Sequence, residues 1–267
     1  VNAIWLTPVF DSCGDSVTDK KLAATGYFAC NYFDVDPKFG TKAKLKELVD
    51  AAHAKGLYVF LDGVFGHAIT NTIPAAPVSG VSPVMVAAET GYTVDYTKAN
   101  SVTFFKEVAT HYVTEYGIDG WRLDVAADLG HSAEYNHKFW RQFRKVVKEA
   151  NPEAIIIAEH YGDASPWLQG DQWDTVMNYD AFMEPISWFL TGLEKHSDQY
   201  RQDLKGNAEC FRDSMRYNGS RFYAPSLLTA MNELDNHDHS RFLTRTNSRV
   251  GRINRVGARA AEEGINK

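Results

Sequence analysis

The chain has 267 residues, 44% of them hydrophobic and 23% charged, with a net charge of -6; that is enough apolar material for a large core in one domain, or in one plus a small insert. The acidic balance and the lack of a basic run argue against a nucleic-acid groove, and no stretch is apolar for long enough to span a membrane. The three cysteines, Cys13, Cys30 and Cys210, show neither zinc-ligand nor framework spacing, and packed or idle thiols are the expectation. Val1 already lies inside an apolar run, so the true N-terminus and any targeting segment are expected upstream, and localisation is left open.

In chain order, Val1–Thr7 reads as a strand stopped by Pro8, and Val9–Gly40 as an irregular loop rich in turn residues. Thr41–Lys55 reads as a helix capped by Thr41, with Leu45, Leu48, Val49 and Ala52 on one face, followed by the buried strand Leu57–Asp62. Residues 68–94 hold three prolines and no clear period, which fits a long loop or reduced subdomain. Then come a helix Asn100–Tyr116, a strand around Trp121, a helix Glu134–Ala150, a strand Ala154–Glu159 and a strand Trp173–Asn178. Helical stretches occupy much of Pro185–Arg216, a last strand is expected at Met231–Asn236, and residues 249–267 read as a loop and the start of a helix.

Six strands alternating with helices imply parallel strands and right-handed crossovers. Asp62, His67, Arg122, Asp124, Glu159, His237 and Asp238 all lie at or just past C-terminal strand ends. Chemistry-bearing groups drawn from several strand ends describe a β/α barrel, and no Gly-rich fingerprint follows the first strand to suggest a dinucleotide fold. Arg122 and Asp124, two residues apart on a strand, point the same way, which aims a carboxylate at a site and keeps it ionised. Taken alone, such a pair is as often structural as catalytic.

Four segments resemble, in order, the signature regions of the α-amylase family of glycoside hydrolases: Asp62-Gly-Val-Phe-Gly-His67, Gly120-Trp-Arg-Leu-Asp124, Ile157-Ala-Glu159 and Asn236-His-Asp238. Gly26-Tyr27 and Asp36-Pro-Lys-Phe-Gly-Thr41 resemble the loop after the second barrel strand. Asp163-Ala-Ser-Pro-Trp-Leu, running on to Val176-Met-Asn-Tyr179, is similar to the neopullulanase and cyclomaltodextrinase branch.

The resemblance implies a (β/α)8 barrel, incomplete, with strands two to seven present over residues 1–267 and a reduced insert at 68–94. It implies retaining hydrolysis of α-glucosidic, mainly α-1,4, bonds in starch, maltodextrin, pullulan or cyclodextrin. Asp124 would be the nucleophile, Glu159 the acid/base and Asp238 the third carboxylate. Arg122 would hold Asp124 charged. His67 and His237 would hydrogen-bond the sugar, Tyr27 would stack beneath it, and Arg241 would reach the next sugar.

Transglycosylation through the same intermediate is the enzymatic alternative. A non-catalytic barrel is disfavoured because all three carboxylates are present. A metal cluster at Asn236-His-Asp-His239 is the remaining alternative, and it lacks further ligands at metal spacing. No cofactor is expected. The family's usual calcium ligand is an Asn before the first-region His; here that position is Gly66, and the insert is short, so calcium is not expected there. The expected partner is an α-glucan, with no nucleic acid or membrane, and oligomeric state is undetermined.

Overall fold

The computed structural model describes residues 1–14, 20–195 and 199–246. The expected loop and helix start at 249–267 lie outside these residues. The chain divides into two units: Val1–His160 with Trp167–Thr175, and Tyr161–Pro166 with the residues from Val176 onward.

The first unit is built on a parallel sheet of the TIM-barrel type, open rather than closed into a full ring. Its strands are β1 (Ala3–Leu6), β4 (Tyr58–Gly63), β8 (Gly120–Leu123) and β9 (Ile155–Ala158), in that order, and the short β10 (Thr175–Val176) ends the sheet where the unit ends. Between them, in chain order, come β2 (Phe10–Asp11), α1 (Lys20–Ala24), β3 (Asn31–Val35), α2 (Lys42–His53), β5 (His67–Ala68), β6 (Met85–Ala87), β7 (Tyr92–Val94), α3 (Ala99–His111) and α4 (Ala133–Ala150).

The helices form where their sequence allows it. Thr41 caps α2 by accepting from the Lys44 amide at 3.2 Å, and Leu45, Val49 and Ala52 are buried, while Leu48 stays 40% exposed. Ser132 caps α4 in the same way, through the Tyr135 amide, and α4 buries Phe139, Trp140, Phe143 and Val147. The expected helix over 100–116 ends differently. α3 passes into a π-turn, Tyr112–Tyr116, and Gly117 stops it in the left-handed region at φ 74°.

Register sorts the sheet's two faces. Leu61 lies beside Trp121 and Trp121 beside Ile156, all buried. Trp121 packs against Phe65, Tyr112 and Phe10, with ring centroids 5.3, 5.7 and 6.4 Å away. Rings of this size bury on the order of 150–250 Å² each, several kcal/mol gross. One residue along, Asp62 pairs with Arg122 and Arg122 with Ile157, so the opposite face carries the charge. Gly120 makes this close pairing possible, since a Cβ there would lie 2.0 Å from the Ile155 carbonyl oxygen.

Two expectations are corrected here. The loop 9–40 is not wholly irregular: β2 and β3 form an antiparallel pair with a register shift between Phe10 and Asp11. Residues this few, interrupted by a bulge, leave no period to read. Cys13 and Cys30 are not idle thiols but a disulfide, with Cα atoms 5.8 Å apart; only Cys210 is free. Residues 68–94, expected as a long loop or reduced subdomain, carry β6 and β7 of a small antiparallel sheet ordered β5-β7-β6 as well as loop.

The second unit holds α5 (Glu184–Thr191), α6 (Ala208–Gly219), α7 (Ala224–Leu228) and α8 (Phe242–Thr246). The strand expected at Met231–Asn236 shrinks to a single parallel bridge, Met231 to Met177. Among the described residues no helix is long and apolar enough to cross a membrane.

Candidate active site

Strand ends place the site. Beyond β8 the ladder continues: the Asp124 amide donates to the Gly63 carbonyl at 3.2 Å, and the Glu159 amide to the Leu123 carbonyl at 2.8 Å. The two carboxylates therefore emerge from adjacent strands just past their ends. Between them Val125 sits at φ 43°, a left-handed conformation that a β-branched residue rarely takes. In that pose its amide donates to Glu159 Oε2 at 2.9 Å. The turn is clamped from α4: Asn136 Nδ2 donates to the carbonyls of Ala126, Ala127 and Leu129, and Trp140 Nε1 donates to Ala126.

Arg122 is the hub. Fully buried, it donates from Nη1 to Asp62 at 2.9 and 3.0 Å and to Asp124 Oδ1 at 2.9 Å, and its Nη2 lies 3.1 Å from Glu159 Oε2. The guanidinium also lies over the Trp5 ring, 4.8 Å from its centroid. Asp62 is the second hub. Besides Arg122 it accepts from Trp5 Nε1 at 3.2 Å and from the Tyr27 hydroxyl at 2.9 Å. Asp62 stood out in the sequence only as a strand-end carboxylate, without a role, and Trp5 not at all. The signal for Asp62 was a charge at the end of the otherwise apolar Leu-Tyr-Val-Phe-Leu.

One guanidinium faces three buried carboxylates, and that sets the electrostatics. Burial pushes Asp124 up to about 8; Arg122 opposes this, while Asp62, Glu159 and a side-chain hydrogen bond with Glu159 add to it. Desolvation and two competing carboxylates thus oppose the hold of the single cation on the Asp124 carboxylate. Burial likewise raises Asp62 to about 6 against Arg122. Although burial works against it, Arg122 is held charged by Asp62, Glu159 and Asp124. Burial, reinforced by Asp62, holds the Tyr27 phenol well above its ordinary range, so it remains a donor. His67, lowered by burial, is neutral at neutral pH; its Nε2 lies 3.9 Å from Asp124 Oδ2 and its ring 4.6 Å from Phe28.

The expected residues Tyr27, His67, Arg122, Asp124 and Glu159 therefore share one cluster in the first unit. The second unit carries His237, Asp238 and Arg241 in the turn before α8. There Asn236 Oδ1 accepts from the Asp238 amide at 3.0 Å and lies 2.7 Å from His239 Nδ1, and His237 Nε2 is 3.6 Å from Asp238 Oδ2. His239 is buried, with one ring nitrogen already committed to Asn236. Among the described residues, the one grouping of potential metal ligands is Asp11, Cys13 and Cys30, whose two sulfurs are bonded to each other.

The surroundings of Gly66 offer little to a calcium ion. Gly66 offers no side-chain oxygen, its carbonyl accepts from the Val94 amide at 3.0 Å, and the space a Cβ would occupy meets Leu129 carbons at 3.4 and 3.7 Å. An apolar wall and a spent carbonyl do not fit a hard cation.

The family model described as "Alpha amylase, catalytic domain" matches residues 1–74 and 86–261. A cyclomaltodextrinase from a Bacillus species is 31% identical over 91% of this chain and 43% of its own length. Neopullulanase 2 of Thermoactinomyces vulgaris is 34% identical over 91% of this chain and 41% of its own. A solved debranching enzyme of Nostoc punctiforme, soaked with acarbose, superposes with a TM-score of 0.71 at 27% identity, over 92% of this chain and 58% of that one. The chain thus spans less than half the length of these curated relatives.

Proposed function

The chain belongs to the α-amylase catalytic-domain family, and from that premise we propose that it is the barrel portion of a retaining glycosidase. Its substrates are α-glucans, cleaved mainly at α-1,4 bonds: starch, maltodextrin, pullulan or cyclodextrin. The relatives' names, cyclomaltodextrinase and neopullulanase, support that substrate class. Residues 1–267 act as one catalytic barrel fragment, with 68–94 as its reduced insert; the stretch the family model leaves unmatched, 75–85, falls inside that insert.

The observation that carries the reading is the Arg122 cluster, with Asp124 and Glu159 held on the two terminal nitrogens of one guanidinium. Retaining enzymes set the two carboxyl groups about 5–5.5 Å apart, and inverting ones about 6.5–9.5 Å apart to admit a water. Two carboxylates gathered on one guanidinium favour the shorter separation.

Asp124 attacks the anomeric carbon and forms a glycosyl ester, while Glu159 gives its proton to the departing oxygen. Glu159 then takes a proton from water, which releases the sugar with its configuration retained. His67 holds a sugar hydroxyl; for Asp238 and His237 the family motif implies the same role, and for Arg241 a reach to the neighbouring sugar. Tyr27 spends its hydroxyl on Asp62 and offers its ring to stack beneath the sugar. Enzymes of this family generally need no organic cofactor, and because Gly66 and Leu129 do not suit calcium, no step is assigned to a metal.

The test is Asp124→Ala assayed on maltodextrin. Turnover falls on the order of 10³-fold or more, because nucleophile and acid act as a unit, while the circular-dichroism spectrum is unchanged. Glu159→Gln retains more activity on aryl glycosides with good leaving groups, which need little protonation. Near-normal hydrolysis by the Asp124 variant overturns the assignment.

A further inference from the structure

Arg122 stands among three carboxylates, and the row of side chains beneath it bears on how it is shared. Trp5 of β1 lies opposite Phe60 of β4, and Phe60 opposite Gly120 of β8. Phe60 and Asp62 are two residues apart on one strand, as are Gly120 and Arg122, so each pair shares a face of the sheet. Trp5 therefore projects from the charged face, one row below Asp62 and Arg122. Gly120 adds no side chain to that row, which leaves the ground under the guanidinium to the indole. From β1 the indole meets both neighbouring strands: its Nε1 donates to Asp62 Oδ2 at 3.2 Å, and the Arg122 guanidinium carbon lies 4.8 Å from its ring centroid.

The two contacts do different things. The ring covers a face of a guanidinium whose edges are spent on Asp62, Asp124 and Glu159. A planar cation seated in this way loses that contact if it tilts away from its carboxylates. The N–H joins two other donors on Asp62 Oδ2, the Tyr27 hydroxyl and Arg122 Nη1, both at 2.9 Å. Donors to an ionised carboxylate favour its charged form. The indole thus helps Asp62 keep its charge and its share of Arg122, at the expense of Asp124. The groups facing the two aspartates are accounted for: Arg122 is positive, the Tyr27 phenol and His67 are neutral, and Glu159 raises both. Between about pH 6 and about pH 8 the two aspartates hold one proton between them, and the indole N–H favours its place on Asp124. A phenylalanine would fill the same space without an N–H for that carboxylate.

We propose that Trp5 is a positioning residue for the reaction at Asp124: its ring seats Arg122, its N–H holds Asp62, and together they set how the guanidinium is divided between the two aspartates. Its part in catalysis rests on Asp124 being the nucleophile; the division of Arg122 does not.

Trp5→Phe in the full chain, which keeps a ring and removes the N–H, tests this with two readouts. The shared proton moves toward Asp62, so kcat/KM on maltodextrin at a fixed pH on the acid limb rises roughly threefold, the effect of about half a pH unit. Carbon-13 NMR of the aspartate-labelled chain shows the Asp124 carboxyl titrating at lower pH. In an Asp62→Asn background the same substitution leaves the limb where Asp62→Asn puts it, because the N–H acts through Asp62; a packing role would move both backgrounds alike. Trp5→Leu, which removes the ring as well, lowers kcat roughly tenfold in either background at an unchanged melting temperature. A limb and an Asp124 titration that Trp5→Phe leaves in place, or that move equally with and without the Asp62 carboxylate, overturn the proposal, and so does an undiminished kcat in Trp5→Leu. An Asp124 titration that moves as stated in a chain whose hydrolysis survives Asp124→Ala retires the glycosidase assignment and leaves the division of Arg122 standing.

Discussion

At the scale of single residues, one arginine shared among three carboxylates explains most of the site's character. Asp62 competes with Asp124 for Arg122, and its negative charge raises Asp124 further. Asp62→Asn removes that charge and frees the guanidinium for Asp124. Both effects favour the ionised form, so the acid limb of kcat/KM, which Asp124 would set below about pH 8, moves to lower pH. A limb that stays put or moves up would show that Asp62 does not govern Asp124. The Arg122–Asp124 pair was legible because i and i+2 share a strand face. The roles of Asp62 and Trp5 were not, because they arise from the register between β1, β4 and β8, which no local pattern encodes. The strained Val125 was equally hidden, since nothing about a valine announces a left-handed backbone.

At the scale of elements, the loop after β1 is held as a braced unit. The Cys13–Cys30 bond closes a 17-residue span that contains Tyr27, Asp36 accepts from the amide and hydroxyl of Ser12, and the Tyr32 hydroxyl donates to the His67 carbonyl. Breaking the bond with Cys13→Ser or a reductant should cost about 3 kcal/mol by loop-closure entropy, read from denaturant midpoints. It should raise KM more than it lowers kcat, because Tyr27 rather than the carboxylates loses its anchor. An unchanged KM would separate the brace from the site. The long helices and central strands were readable from period and caps, as Thr41 and Ser132 show. The β2–β3 pair and the disulfide were not: two-residue β2 has no period, and three scattered cysteines name no partner. The strand expected near Met231 failed for a different reason, since the apolar run there supports only one bridge, to Met177.

At the scale of the whole molecule, the order of the signature segments carried the fold class, and the parallel sheet with its polar strand ends agrees with it. Metal independence at the Gly66 position belongs to this scale as well. Chelation should leave the melting temperature unchanged, whereas a drop restored by calcium would mean that oxygens other than those around Gly66 and Leu129 bind it. The central claim is that Asp124 forms a covalent bond to the sugar. It is tested most directly by treating the protein with an activated α-glucosyl fluoride whose ester turns over slowly, then mapping the adduct by peptide mass. The account predicts fluoride release and one glycosyl ester, on the peptide carrying Asp124, with α-configured product released on hydrolysis; an adduct on Glu159, or β-configured product with no adduct, would contradict it.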